Sequence, residues 1–171
     1  VAGCGFLMYV VKNSPDFDVE KLNRNQTTIL YDKDGKSFAE LGTERRENIK
    51  FDSMSQSLVD ALVATEDSRF YQHNGFDAAR FLKASIGQAA GNSGSGGAST
   101  ISMQVIKNSF TSTEASGIQG IIRKFTDIYL AVFKLEKNYS KEEIIEFYVN
   151  NHYLGSNAYG VEQAARTLHL I

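Results

Sequence analysis

Residues 117–150 read GIQGIIRKFTDIYLAVFKLEKNYSKEEIIEFYVN, and two helical signals inside that stretch decide the fold class. Ile118, Ile121, Ile122, Phe125, Ile128, Tyr129, Val132 and Phe133 recur at helical spacing and make one apolar stripe. Ser140-Lys141-Glu142-Glu143 has the form of a capping box and predicts a further helix through Ile144, Ile145, Tyr148 and Val149. On the N-terminal side, Leu58, Ala61, Leu62 and Thr65 fall at helical spacing and lead directly into Glu66. Phe81, Leu82, Ser85, Ile86 and Ala89 mark another helix, closed by Gly91. Residues 91–97, GNSGSGG, hold no side chain that packs, so they predict a mobile loop. Nearer the start, Thr27–Tyr31 and Lys36–Leu41 flank Asp32-Lys33-Asp34-Gly35, the pattern of a β-hairpin. The expectation is a mainly α domain with a small N-terminal β-hairpin.

Composition narrows the function classes. The 171 residues carry 18 Lys and Arg against 20 Asp and Glu, a formal net charge of −2. Length fits one domain with a real core, and 42% hydrophobic residues exclude a disordered chain. The near-neutral balance removes the electrostatic case for nucleic acid, which wants a clustered basic face. Cys4 is the only cysteine and cannot form an internal disulfide. Residues 1–11, VAGCGFLMYVV, are uncharged and apolar but too short to span a bilayer, which takes ~20 helical residues. They read as the outer end of a truncated membrane helix, with a buried strand as the plainer alternative. The loose lipobox at Val1–Cys4 is disfavoured because apolar residues continue past the cysteine.

Three clusters could carry chemistry. Glu66-Asp67 stands where a helix ends, beside Phe70, Tyr71, His73 and Phe76. A carboxylate desolvated by those rings would suit a general base; a solvated helix-end glutamate is the alternative. His73 has no second histidine at metal-ligand spacing, which argues against zinc, and a lone histidine is more often a hydrogen-bonded structural residue than a catalyst or ligand. Arg123, Lys124 and Asp127 share one helix face off the apolar stripe. They read either as a solvated salt-bridged surface or as an anion site in which Asp127 orients the cations or holds a divalent metal. Gly97-Ala98-Ser99-Thr100 has the makings of a helix N-terminus, suited to an anion or a sugar, or is an ordinary cap.

Taken together these segments resemble a family. Glu66-Asp67-Ser-Arg-Phe70-Tyr-Gln-His73-Asn-Gly75-Phe-Asp77 resembles E-D-x-x-F-x-x-H-x-G-x-D, the first motif of the family 51 peptidoglycan glycosyltransferases. These are the glycan-polymerising domains of class A penicillin-binding proteins and of monofunctional transglycosylases. Gly97-Ala98-Ser99-Thr100-Ile101-Ser102-Met103-Gln104 with Lys107-Asn108 is similar to G-G-S-T-I-T-Q-Q…K-N. Arg123-Lys124-Phe-Thr-Asp127 stands for R-K-x-x-E, and Lys141 to Asn150 for K-x-x-I-L-x-x-Y-L-N. Tyr153-Leu-Gly155 and Tyr159-Gly160-Val161…Ala164-Ala165 resemble a fifth segment. The departures are Ala98, Ser102 and Met103 in the second motif, Asp127 for Glu in the third, and Thr126 where many members have Lys.

The resemblance implies a lysozyme-like helical domain at residues 51–171, lacking the family's last helices. A juxtamembrane linker and hairpin at 12–50 and a partial membrane segment at 1–11 would precede it. It implies a single-pass protein of the bacterial cell membrane with its catalytic domain on the outer face. The reaction would carry glycan from its lipid diphosphate onto the 4-hydroxyl of lipid II, with inversion. Catalytic roles fall on Glu66 and Asp127. Substrate-binding roles fall on Asp67, Phe70, His73, Ser99, Thr100, Gln104, Lys107, Arg123 and Lys124. A divalent metal, Mg or Mn, would sit at Asp127. Partners would be lipid II, the nascent glycan strand, the membrane and other cell-wall synthesis proteins. Two rival readings are a lysozyme-like lytic enzyme and a catalytically weakened module that binds the lipid-linked precursor. Two carboxylates alone do not separate synthesis from lysis, because glycosidases also use a pair.

Overall fold

The structure, a computed structural model, describes residues 2–22, 28–31, 33–34, 37–41, 45–46, 48–91, 97–111, 115–155 and 158–161. Within these the chain is mainly helical: α1 Ala2–Lys12, α2 Gln56–Glu66, α3 Ala78–Ala89, α4 Ile101–Phe110, α5 Gly117–Leu130, α6 Glu136–Asn138 and α7 Lys141–Asn151. A π-helical turn, Ala131–Leu135, joins α5 to α6. Strand β1, Thr28–Tyr31, pairs antiparallel with β2, Ser37–Leu41; Asp32 and Gly35 of the expected turn and Thr27 and Lys36 of the expected strands lie outside the described residues. A second small sheet sets β3, Arg45–Arg46, parallel to β5, Ala158–Tyr159, with β4, Tyr153–Gly155, antiparallel on its other side. Residues 92–96 of the glycine-serine segment and Ala164-Ala165 also lie outside the described residues.

Local chemistry accounts for the helix ends. Ser140 accepts from the Glu143 N–H while the Glu143 carboxylate accepts from the Ser140 N–H, so both arms of the capping box form. Thr100 caps α4 by accepting from the Met103 N–H at 3.2 Å. The core is built where α4, α7 and the π-helical turn meet: Ile101, Val105 and Ile106 pack with Ala131, Leu135, Ile144 and Ile145 at zero exposure. Met103, which replaces a polar residue of the second motif, is in this core at 1% exposure. Leu22, from the segment before the strands, reaches the same cluster, and the Asn150 side chain bonds both backbone groups of Ile49.

The apolar stripe of α5 is divided between core and surface, with Ile128 and Tyr129 packed against the core. Ile118, Ile121 and Phe133 are exposed at 75%, 54% and 53%, whereas Thr126, Asp127 and Leu130 are buried. Periodicity names the residues that share a face but not the face that turns inward. Here the polar side is covered by α4, while the stripe meets the core through Ile128 and Tyr129 and α1 through an edge-to-face contact of Phe6 on Phe125 at 5.2 Å. Among the described residues no helix is long and apolar enough to cross a membrane.

Candidate active site

Helix α2 ends at Glu66, and the chain then folds back as a loop whose polar groups nearly all find partners. The Asp67 carboxylate, with zero exposure, accepts from the Ile101 N–H at 3.1 Å. It also meets His73 Nε2 at 3.0 and 3.1 Å. Asp77 is gripped by Arg69 and accepts from the Arg80 N–H at 2.9 Å, which caps the start of α3. Burial alone would raise the Asp77 carboxyl, but the Arg80 N–H and Arg69 outweigh it and hold the group below its ordinary value. Gly75 has φ +87°, and a Cβ there would lie 3.0 Å from the Ala131 backbone and the Glu136 side chain. Only glycine allows that approach.

Beneath the loop lies an ion pair between Lys141, the first residue of the fourth motif, and Glu136, which no motif indicated. Lys141 donates to Glu136 at 2.8 Å and to the His73 carbonyl at 2.7 Å, and its ammonium sits 4.2 Å from the Phe70 ring centroid. Ser102 donates to the same Glu136 oxygen. Phe70 and Asp67 are fully buried, His73 Nε2 meets Asp67, and Thr100 donates to the Gly75 carbonyl at 2.7 Å. These contacts hold the shape of the loop, in which the buried His73 Nδ1 has no hydrogen-bond partner.

What faces outward is Glu66. Gln104 of α4 donates to its Oε2 at 2.9 Å. Tyr148 lies near enough that Glu66 adds to the effect of burial, which together push the phenol up to about 12. Lys107 follows Gln104 by three residues, so the two share a face of α4 about 4.5 Å apart along its axis. Lys107 and Arg123 both act electrostatically on Lys124 and Asp127, so these four form one cluster. Lys124 donates to Ser99, and burial pushes its amine below the ordinary value. Asp127 is 3% exposed and accepts from Thr111, a residue that no motif had indicated. Burial pushes its carboxyl up to about 6 against the opposing pull of Thr111, Arg123, Lys124 and Lys107. The solvated-surface reading of this cluster is therefore overturned. A cavity of about 520 Å³, lined by Phe110, Thr111, Gln119, Ile122, Arg123 and Thr126, opens beside it toward Asn13 and Pro15, just past α1.

Asp67, His73 and Asp77 bring ligand atoms within 4.8 Å of one another, the only such group of metal-binding type among the described residues. The donor set does not suit a cation. Its oxygens already accept from the Ile101 N–H, the Arg80 N–H and Arg69, and the Arg80 guanidinium lies 3.6 Å from Asp67.

Motif order, a buried first-motif loop and a cation cluster around one carboxylate agree with the comparison to known families. The model of the transglycosylase family matches residues 34–169. The chain belongs to the transglycosylase family. It is 38% identical to penicillin-binding protein 1A/1B of Bacillus subtilis, over 96% of the chain and 18% of that protein. It is 39% identical to penicillin-binding protein 1A of Vibrio cholerae, over 95% and 19%, and 37% identical to that of Escherichia coli, over 95% and 19%. The transglycosylase chain thus spans about a fifth of the length of these relatives.

Proposed function

We propose that this transglycosylase domain polymerises peptidoglycan glycan, moving the growing strand from its lipid diphosphate onto the 4-hydroxyl of lipid II. The supporting observation is the shared face of α4, where Gln104 holds Glu66 and Lys107 belongs to the cation cluster. Glu66 takes the proton from the attacking hydroxyl. Lys107, Arg123 and Lys124 stabilise the departing diphosphate. Attack opposite the leaving group inverts the anomeric centre in one displacement. Ser99, held by Lys124, lines the same side, and the cavity beside Arg123 offers an apolar wall at Phe110 and Ile122 for the lipid.

A divalent cation, Mg or Mn, would be held by Asp127 together with the substrate, since such ions commonly bind through one carboxylate plus phosphates. The ion would supply charge neutralisation at the leaving group. A lysozyme-like fold over 51–171, a linker at 12–50 and the end of a membrane helix at 1–11 belong to the same reading. So does a single-pass protein on the outer face of the bacterial membrane, among cell-wall synthesis partners. Leu7 and Met8 of α1 and Ile118 and Ile121 of α5 are exposed, as a membrane-facing side requires. Anchoring raises the encounter of two lipid-tailed substrates. The test is polymerisation of labelled lipid II by the full-length protein. Strand growth supports the reading, cleavage of finished peptidoglycan supports the lytic rival, and binding without turnover supports the weakened module.

A further inference from the structure

Arg80 belongs to none of the motifs, yet its side chain joins three separate segments. Its backbone is placed by the Asp77 cap at the first turn of α3. From there Nη1 donates to the Glu66 carbonyl at 2.6 Å and Nε donates to the Gly97 carbonyl at 2.8 Å. Nη1 also lies 3.6 Å from an Asp67 oxygen. The Glu66 carbonyl is one of the last of α2, with no partner inside the helix and at the negative end of its dipole. A planar guanidinium satisfies two carbonyls and a carboxylate together, which a lysine ammonium on a flexible stem does not reproduce. Glu66 is thereby held at two points, its backbone by Arg80 and its carboxylate by Gln104.

We infer that Arg80 is a positioning residue that aims the Glu66 carboxylate by bridging the end of α2 to the Gly97 approach to α4. This rests on Glu66 being the base. Misplacement of a reacting group by about 1 Å costs ~10²-fold in rate, so Arg80→Gln in the full-length enzyme should lower kcat by about that factor. KM for lipid II should stay within about threefold, because substrate contacts are untouched. Arg80→Lys keeps the charge and most of the stem and should lose a similar share of kcat. Adding methylguanidinium to Arg80→Ala should restore part of the rate. In a Glu66→Gln background Arg80→Gln should cost nothing further, since the group it aims is already gone. Parent-like kcat in Arg80→Lys, a rise in KM with kcat unchanged, or a full additional loss in the Glu66→Gln background would each overturn the inference. The base assignment fails separately, if Glu66→Gln alone polymerises at the parent rate.

Discussion

The loop from Asp67 to Asp77 and the inner face of α5 are both rich in charge and use it in opposite ways. In the loop each carboxylate is matched: Asp67 to His73, the Ile101 N–H and the nearby Arg80, Asp77 to Arg69 and the Arg80 N–H. On α4 and α5 three cations, Lys107, Arg123 and Lys124, act on one buried carboxylate, Asp127, which Thr111 also bonds. A matched set has little left to offer a ligand, whereas an excess of one sign in a half-buried setting attracts the opposite ion. On the proposed function the loop is scaffold and the α5 face receives the diphosphate, with Glu66 between them.

The largest effect tests the scaffold side. Lys141→Met leaves Glu136, whose side chain is 5% exposed, buried without its ammonium, a loss of about 3–5 kcal/mol. Unfolding in denaturant measures it, and Lys141→Met with Glu136→Leu should recover most of the loss; a near-neutral single variant would remove the loop's underpinning. Next, Glu66→Gln should lower polymerisation by ~10²-fold or more while lipid II still binds, and retention of the parent rate would place the base elsewhere.

Asp127 then separates the two regions by pH. Its folded carboxyl is raised to about 6 from 3.8, so the protonated form is favoured in the fold. Its contribution is fully favourable below the unfolded value and is lost as pH rises through about 6. Asp127→Asn does not ionise, so with chelator present it should gain up to about 2–3 kcal/mol relative to the parent at pH 8 and no advantage near pH 4. A constant difference across that range would mean the carboxylate is neutralised in place. The smallest change is Ser99→Ala, which frees the Lys124 ammonium and should shift stability by less than about 1 kcal/mol. Affinity for inorganic diphosphate should hold or rise; a marked fall would make the Ser99 hydroxyl itself a ligand.

Much of the helical framework was legible because caps are local. Ser140 with Glu143, Thr100 with Met103 and the end of α2 at Glu66 depend on residues within four positions of one another. The candidate site was legible in part: Glu66 and Gln104 are joined by a hydrogen bond, and Lys107, Arg123 and Lys124 act together on Asp127. Thr111, Glu136 and Arg80 gave no comparable signal, although Thr111 follows directly on α4, and Lys141 was named only as the first residue of a motif, without a role. Except for the Lys141–Glu136 pair, five positions apart, the side-chain hydrogen bonds of these four reach partners 14 to 68 positions away.

From residue order alone came the helices, their caps, the glycine at position 75 and the set of chemical groups available to the site. Those follow from backbone sterics and short-range hydrogen bonding, which neighbouring residues dictate. Tertiary structure alone decided how the faces of α5 are divided between core and surface, that Phe70 and Asp67 are fully buried, and that one guanidinium holds the end of α2. Those outcomes depend on which surfaces meet, and a period or a motif carries no record of the partner. Burial then set the charges: the same carboxyl that would ionise freely in water titrates near 6 once α4 covers Asp127.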